Sequence, residues 1–133
     1  MNAPSSKRIV LIDDEPAVVS ALKLLLQALG HFAEPFTDPR VALETLPALK
    51  DIDVLLCDLR MPGMTGIEVL RCAHASHPHI PFVLMSAHAT DKDVTEARNL
   101  GAVGYLSKPF TPEQLTRMLS DMASHPRGEF RSW

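Results

Sequence analysis

Two cysteines, one tryptophan and one tyrosine are all that the 133 residues hold of those types. Cys57 and Cys72 both fall within apolar patterns, so reduced, buried thiols are expected, and a disulfide-stapled secreted scaffold is excluded. Long hydrophobic runs are missing too. None approaches the roughly 18 residues that a membrane span requires. Lys7 and Arg8 near the start are not followed by an apolar stretch of signal-peptide length, which leaves the cytoplasm as the default compartment. Positive charge is in short supply, with 13 Lys and Arg against 16 Asp and Glu and a net charge of -3. A broad nucleic-acid-binding face, which needs clustered cations to neutralise phosphates, is therefore not expected. Glycine is sparse, and no Gly-rich anion loop follows the first apolar run. Asp13-Asp14-Glu15 stands there instead and would repel a nucleotide or flavin phosphate.

What the chain does hold is a set of short apolar runs that stop at polar residues. Val54-Leu55-Leu56-Cys57 is uninterrupted and ends at Asp58, ahead of Leu59-Arg60-Met61-Pro62-Gly63. Such a run reads as a strand buried on both faces, and Pro-Gly as the turn that follows it. Ile9-Val10-Leu11-Ile12 ends likewise at Asp13-Asp14, and Phe82-Val83-Leu84-Met85 ends at Ser86. Val103 to Leu106 leads into Ser107-Lys108-Pro109-Phe110, and a weaker edge strand is expected over 31–36, with Pro35 inside it.

Between these runs the apolar period changes to that of a helix. Val18, Val19, Leu22, Leu25, Leu26 and Leu29 keep helical spacing and Gly30 supplies a stop, with Asp14 or Glu15 expected to cap the start. Further helices are expected from Asp38-Pro39 to about Leu49, shortened or bent at Pro47, and from Gly66 to about Ala75. Two more are expected over 90–100 and from Thr111-Pro112-Glu113-Gln114 to about Ala123. Strand and helix thus alternate five times. The fold class is α/β, a doubly wound (βα)5 five-stranded parallel sheet of order 2-1-3-4-5, flavodoxin-like, with all carboxyl-terminal strand ends on one rim. The domain is expected over 7–123. Residues 124–133 show no periodicity and read as a linker or an appended tail.

That rim gathers Asp13, Asp14, Asp58, Ser86 and Lys108. Like charges about 4 Å apart cost on the order of 4 kcal/mol at an effective dielectric near 20, so three carboxylates call for a cation. Hard oxygen donors in an open site suit Mg2+ (or Mn2+), and the scarcity of sulfur and imidazole ligands disfavours zinc. The scattered histidines 74, 77, 79 and 88 are not expected to hold a metal. With a cation present, Asp58 is placed to attack a phosphoryl group, while Lys108 and Ser86 stabilise its oxygens.

Asp13-Asp14, Asp58 in Asp-Leu-Arg-Met-Pro-Gly, Ser86-Ala87, Tyr105 and Lys108-Pro109-Phe110 together resemble the receiver domain of two-component response regulators. The resemblance covers about Lys7 to Ala123, and that family is itself a standard instance of the 2-1-3-4-5 order. It implies that Asp58 accepts a phosphoryl group from a histidine kinase or phosphotransfer protein. Asp13, Asp14, Asp58 and the backbone carbonyl of Arg60 would hold Mg2+, Asp13 through water. Lys108 would pair with the phosphoryl group ahead of a cis peptide to Pro109, and Ser86 and Tyr105 would form the conformational switch. Arg60 and His88 stand where receivers vary and would tune phosphate lifetime. The resemblance also implies an output domain in a longer parent chain or a separate target protein. A homodimer through the helix 4–strand 5–helix 5 face is a further implied partner. The chain is then a signalling switch that acts only on itself.

The residues leave two other readings open. A phosphatase of the haloacid-dehalogenase type would place a second acid two residues after the nucleophile, where this chain has Arg60. A receiver that only binds a partner would not need the complete set of Asp13, Asp14, Asp58, Ser86 and Lys108.

Overall fold

The computed structural model describes residues 6–124 and 129–133. In chain order the elements are β1 (Arg8–Ile12), α1 (Pro16–Ala28), β2 (Phe32–Phe36), α2 (Pro39–Thr45), a 3-10 turn (Leu46–Ala48) and β3 (Val54–Asp58). Then come α3 (Gly66–Ser76), β4 (Phe82–Ser86), α4 (Asp91–Asn99), β5 (Gly104–Ser107), α5 (Pro112–Ser124) and β6 (Arg131–Ser132). The sheet order is β2-β1-β3-β4-β5-β6, and every pairing is parallel.

The uninterrupted apolar runs follow from burial on both faces. Side chains alternate across a strand, so each strand feeds two cores. Val10, Ile12, Leu55, Cys57 and Leu84 pack with α2 and α3 residues such as Ala42, Val69 and Leu70. Their neighbours Ile9, Leu11, Val54, Leu56, Val83 and Met85 pack on the opposite face with Leu22, Leu26, Leu115 and Met118 from α1 and α5. β2 is different. It sits at the sheet edge with Phe32 exposed, which is why its sequence signal is weak.

Local details depart from expectation in instructive ways. The α1 N-cap is Glu15, whose side chain makes no cap bond; Asp13 Oδ1 accepts the Glu15 amide at 3.0 Å instead. Asp13 thus serves the helix start from outside it. Pro47 converts the last turn of the second helix to 3-10 geometry over Leu46–Ala48. Cys57 is buried but Cys72 is exposed on α3, contrary to the expected burial of both.

The main difference lies at the chain end. Among 124–133, which showed no periodicity, Arg131–Ser132 adds a sixth strand to β5, and Trp133 packs against the α1/α5 core. Two residues are too short a strand to leave a pattern in sequence. Their partner, Gly104, is what admits the Trp133 ring, because a Cβ there would overlap it. Residues 125–128 lie outside the described residues.

Candidate phosphoacceptor site

The parallel sheet brings the ends of β1, β3, β4 and β5 to one rim, as right-handed crossovers require. Asp13 follows β1 and is fully buried, Asp58 closes β3 and is 7 % exposed, and Ser86 closes β4 at 3 %. Register explains the grouping: Ile12 pairs with Cys57, Asp58 with Met85, and Ser86 with Ser107. Lys108 follows directly. Its Nζ donates to Asp13 Oδ2 at 2.6 Å and to Asp58 Oδ1 at 3.1 Å. Carboxylate oxygens of Asp13, Asp14 and Asp58 all lie within 4.8 Å of one another.

Electrostatics follow from this geometry. Burial pushes the Asp58 carboxyl above its ordinary pKa; the Lys108 charge and hydrogen bond pull it back, and Asp13 and Asp14 add to the rise. Burial alone would lower the Lys108 ammonium, but the bond and charge of Asp13, then those of Asp58, leave it raised. Lys108 is therefore charged throughout the neutral range. Burial and the neighbouring Asp58 charge push the Cys57 thiol well above its usual range, which makes it inert packing at neutral pH.

The Asp58 shift has a sign that can be tested. A raised folded-state pKa contributes stability that is present below the unfolded value and is lost as pH rises through the folded value. At neutral pH the Asp58 charge therefore costs stability, and Asp58→Asn is expected to raise Tm at pH 7 relative to the parent. The gain should vanish near pH 3, where both chains carry a neutral group at this position.

One ammonium faces three carboxylates, so negative charge remains unmatched around hard oxygen donors. That donor set fits a small divalent cation such as Mg2+, held by one or two carboxylates with the remaining positions open to water. A cation bound only in the folded state should raise Tm in proportion to the logarithm of its concentration. Addition of millimolar Mg2+ is expected to stabilise the parent and to leave Asp14→Ala nearly unchanged, as read by thermal melts.

The other residues singled out from sequence are placed as follows. Ser86 Oγ accepts the His88 amide at 3.1 Å, which leaves the hydroxyl proton for another acceptor. The Ser86 carbonyl accepts the Tyr105 hydroxyl at 2.6 Å and the Lys108 amide at 3.0 Å. Tyr105 is half-buried, with its hydroxyl turned to the end of β4. The Lys108–Pro109 peptide is cis. Arg60 follows Asp58 by two residues. Its guanidinium pairs with Asp93 at 3.1 Å, on the first turn of α4, where Asp93 also completes a capping box with Thr90. His88 is exposed.

Sequence reasoning passed over Gly66. It opens α3 directly beneath Asp58: its amide donates to the Leu59 carbonyl at 2.9 Å, and a Cβ would overlap the Asp58 carbonyl oxygen. Glycine at a predicted helix start reads as a cap signal, so the close approach was invisible in sequence. An apolar groove of about 490 Å³ also went unforeseen, running beside Lys108 between α1 and the β5–α5 loop, with Val18, Leu22, Leu25, Pro109 and Phe110 in its walls.

Residues 9–120 match the model of the response regulator receiver domain. The chain belongs to that family. The receiver is 37% identical over 111 residues to the transcriptional regulatory protein FixJ of Bradyrhizobium diazoefficiens, covering 84% of this chain and 54% of FixJ. It is 34% identical over 115 residues to the DNA-binding transcriptional regulator NtrC of Escherichia coli, covering 86% of this chain and 24% of NtrC. The receiver thus spans about half of one relative and a quarter of the other. Among solved structures it is similar to the chemotaxis protein CheY4 of Vibrio cholerae. That match has a TM-score of 0.82 and 27% identity, over 87% of this chain and 98% of CheY4. Among the described residues, no helix is long and apolar enough to cross a membrane.

Proposed function

We propose that Asp58 is the phosphoryl acceptor of this receiver and that the donor is a phosphohistidine on a kinase or phosphotransfer protein. The observation that carries this reading is Lys108 Nζ held between Asp13 and Asp58, with Asp14 completing an acidic group at a strand-end crevice. An Asp58 oxygen attacks phosphorus, an O–P bond forms, and the P–N bond breaks with its electron pair leaving on the donor imidazole. Lys108 transfers its hydrogen bond from Asp58 to a phosphoryl oxygen, and the free proton of Ser86 serves a second oxygen. Mg2+, when held by Asp13, Asp14, Asp58 and the Arg60 carbonyl, supplies neutralising charge for the phosphoryl oxygens. Phosphorylation replaces the single negative charge of the Asp58 carboxylate by about -1.5 to -2 on the phosphoryl group, which then biases Ser86 and Tyr105, whose hydroxyl already donates to the Ser86 carbonyl.

The receiver acts as a switch rather than a turnover enzyme, and its only catalysis is of its own phosphorylation and dephosphorylation. Control passes to an output domain in a longer parent chain or to a separate target, and the cytoplasm is the compartment that a kinase partner implies. The linkage tests the reading. Protein phosphorylated with acetyl phosphate should lose its label to neutral hydroxylamine, as an acyl phosphate does. Label that survives hydroxylamine would place the phosphate on Ser86 or another hydroxyl instead.

Phosphate lifetime follows from the side chains near the rim. Arg60, two residues after Asp58, has its guanidinium on Asp93, and the exposed His88 stands two residues after Ser86. Arg60→Ala and His88→Ala are expected to speed aspartyl-phosphate decay about two- to tenfold, a change of roughly 0.4–1.4 kcal/mol in the barrier. Decay curves from quenched samples check this, and an unchanged rate in both variants refutes it.

A further inference from the structure

β5 would be the exposed edge of this sheet were it not for the chain's own last residues. Arg131 N donates to the Val103 carbonyl at 3.1 Å, Trp133 N to the Tyr105 carbonyl at 2.8 Å, and Ser107 N to the Trp133 carbonyl at 3.1 Å. These are the backbone groups through which an open edge strand pairs with another chain. Side chains pin the segment on both flanks. Trp133 Nε1 donates to Asp121 on α5 at 2.9 Å, Arg131 pairs with the same Asp121 at 3.3 Å, and the Phe130 ring lies 5.7 Å from the Arg98 guanidinium on α4. The Trp133 ring fills the space left by the missing Cβ of Gly104.

We propose that Phe130–Trp133 is a cis cover on the β5 edge, and that it holds off a second copy of this chain that would otherwise pair there. A second copy fits because the residues shown beside this edge differ in sign: Arg98 on α4 lies under Phe130, and Arg117 and Asp121 on α5 border Arg131 and Trp133. Arg98 of one copy can then pair with Asp121 of the other and the reverse, the reciprocal arrangement of an isologous contact across a two-fold axis. The cover uses Arg98 and Asp121, one group of each sign, so seating the cover and docking the second copy are mutually exclusive. The inference concerns only this edge and stands whether or not Asp58 is the phosphoryl acceptor.

Trp133 is the only tryptophan, so its fluorescence reports the cover directly. Two variants of the full chain release it by different means. Gly104→Ala places a methyl group against the Trp133 ring and the Arg131 carbonyl, and Asp121→Ala removes the partner of both Trp133 and Arg131. In the parent, acrylamide quenching should be weak and the chain should sediment as a monomer. In each variant, quenching should rise towards that of a free indole, and the dimer dissociation constant should fall at least about tenfold, equivalent to 1.4 kcal/mol. Should Gly104→Ala disturb the fold as judged by circular dichroism, Asp121→Ala, off the sheet, carries the test. A parent Trp133 quenched as a free indole, a Trp133 still shielded in both variants, or its release without tighter association would each overturn the proposal.

Discussion

Lys108→Ala is expected to lose about 100-fold or more in the rate of phosphorylation by acetyl phosphate, the scale of removing one charged donor from a developing oxyanion. Lys108 Nζ is the cation bonded to both Asp13 and Asp58, and both carboxylates are buried. The substitution should cost stability as well. Removing one partner of a buried ion pair leaves an uncompensated charge, at about 3–5 kcal/mol when fully buried. Lys108 is 20% exposed and Asp58 can take up a proton, so the loss should be about 1–3 kcal/mol by that scale. Two features separate this from simple loss of packing. Mg2+ should restore much of the stability, because it answers the same carboxylates, yet should not restore the rate. Lys108→Met, which keeps the stem and drops the charge, should behave as Lys108→Ala does. Unfolding curves with and without Mg2+, beside phosphorylation time courses, decide the matter.

Gly66→Ala should be the most damaging single methyl in the molecule. Its Cβ would overlap the Asp58 carbonyl oxygen and lie 2.9 Å from Leu84 Cδ1 and 3.0 Å from Leu59 Cα. Two of those neighbours are backbone at the end of β3, where Asp58 pairs with Met85 of β4 and the Leu59 amide donates to the Met85 carbonyl at 2.9 Å, so neither can yield cheaply. Overpacking of this kind costs about 1–3 kcal/mol, and the rigid surroundings put the expectation at the upper end. For a domain of this size that is a fall of about 10 °C in Tm. Gly30→Ala is the matched comparison. Gly30 has φ +91° and open space around it, so only backbone strain opposes the methyl, about 1 kcal/mol. Gly66→Ala should also slow phosphorylation, because relief must come by moving α3 or the end of β3, where Asp58 sits. Equal Tm losses for the two variants would show that the close approach beneath Asp58 is slack.

The ionisation of Asp58 without Mg2+ extends the same account. Its pKa is raised by burial and by Asp13 and Asp14 beyond what Lys108 offsets. In Mg2+-free buffer the Asp58 carboxyl should therefore titrate at a higher pH than an ordinary aspartate, as followed by its carboxyl carbon shift. In Asp14→Asn, with one repelling charge removed, the midpoint should move to lower pH. Titration as an unperturbed carboxylate would contradict the burial argument.

Which features were legible in the sequence follows from where the signal lives. Strands buried on both faces leave unbroken apolar runs, so β1, β3 and β4 and their polar ends could be placed from sequence, and with them Asp13, Asp58 and Ser86. The rule that parallel strands share a rim then brought Lys108 to the same place. Close approaches leave no such trace. Gly66 and Gly104 matter through atoms far away in sequence, the Asp58 carbonyl and the Trp133 ring, and each reads locally as an ordinary glycine. β6 escaped because two residues cannot show a period. The Arg60 side chain escaped because its partner, Asp93, lies on α4, and local sequence does not say which of several acids a long cation reaches.

The central claim is that Asp58 is the residue that takes the phosphoryl group, with a divalent cation, in the pocket closed by Lys108. Intact-protein mass spectrometry after incubation with acetyl phosphate tests it most directly, with and without Mg2+, and on Asp58→Asn in parallel. The account predicts one phosphoryl adduct on the parent with Mg2+, none when Mg2+ is chelated, and none on Asp58→Asn. An adduct of equal yield on Asp58→Asn, or one indifferent to Mg2+, would contradict it.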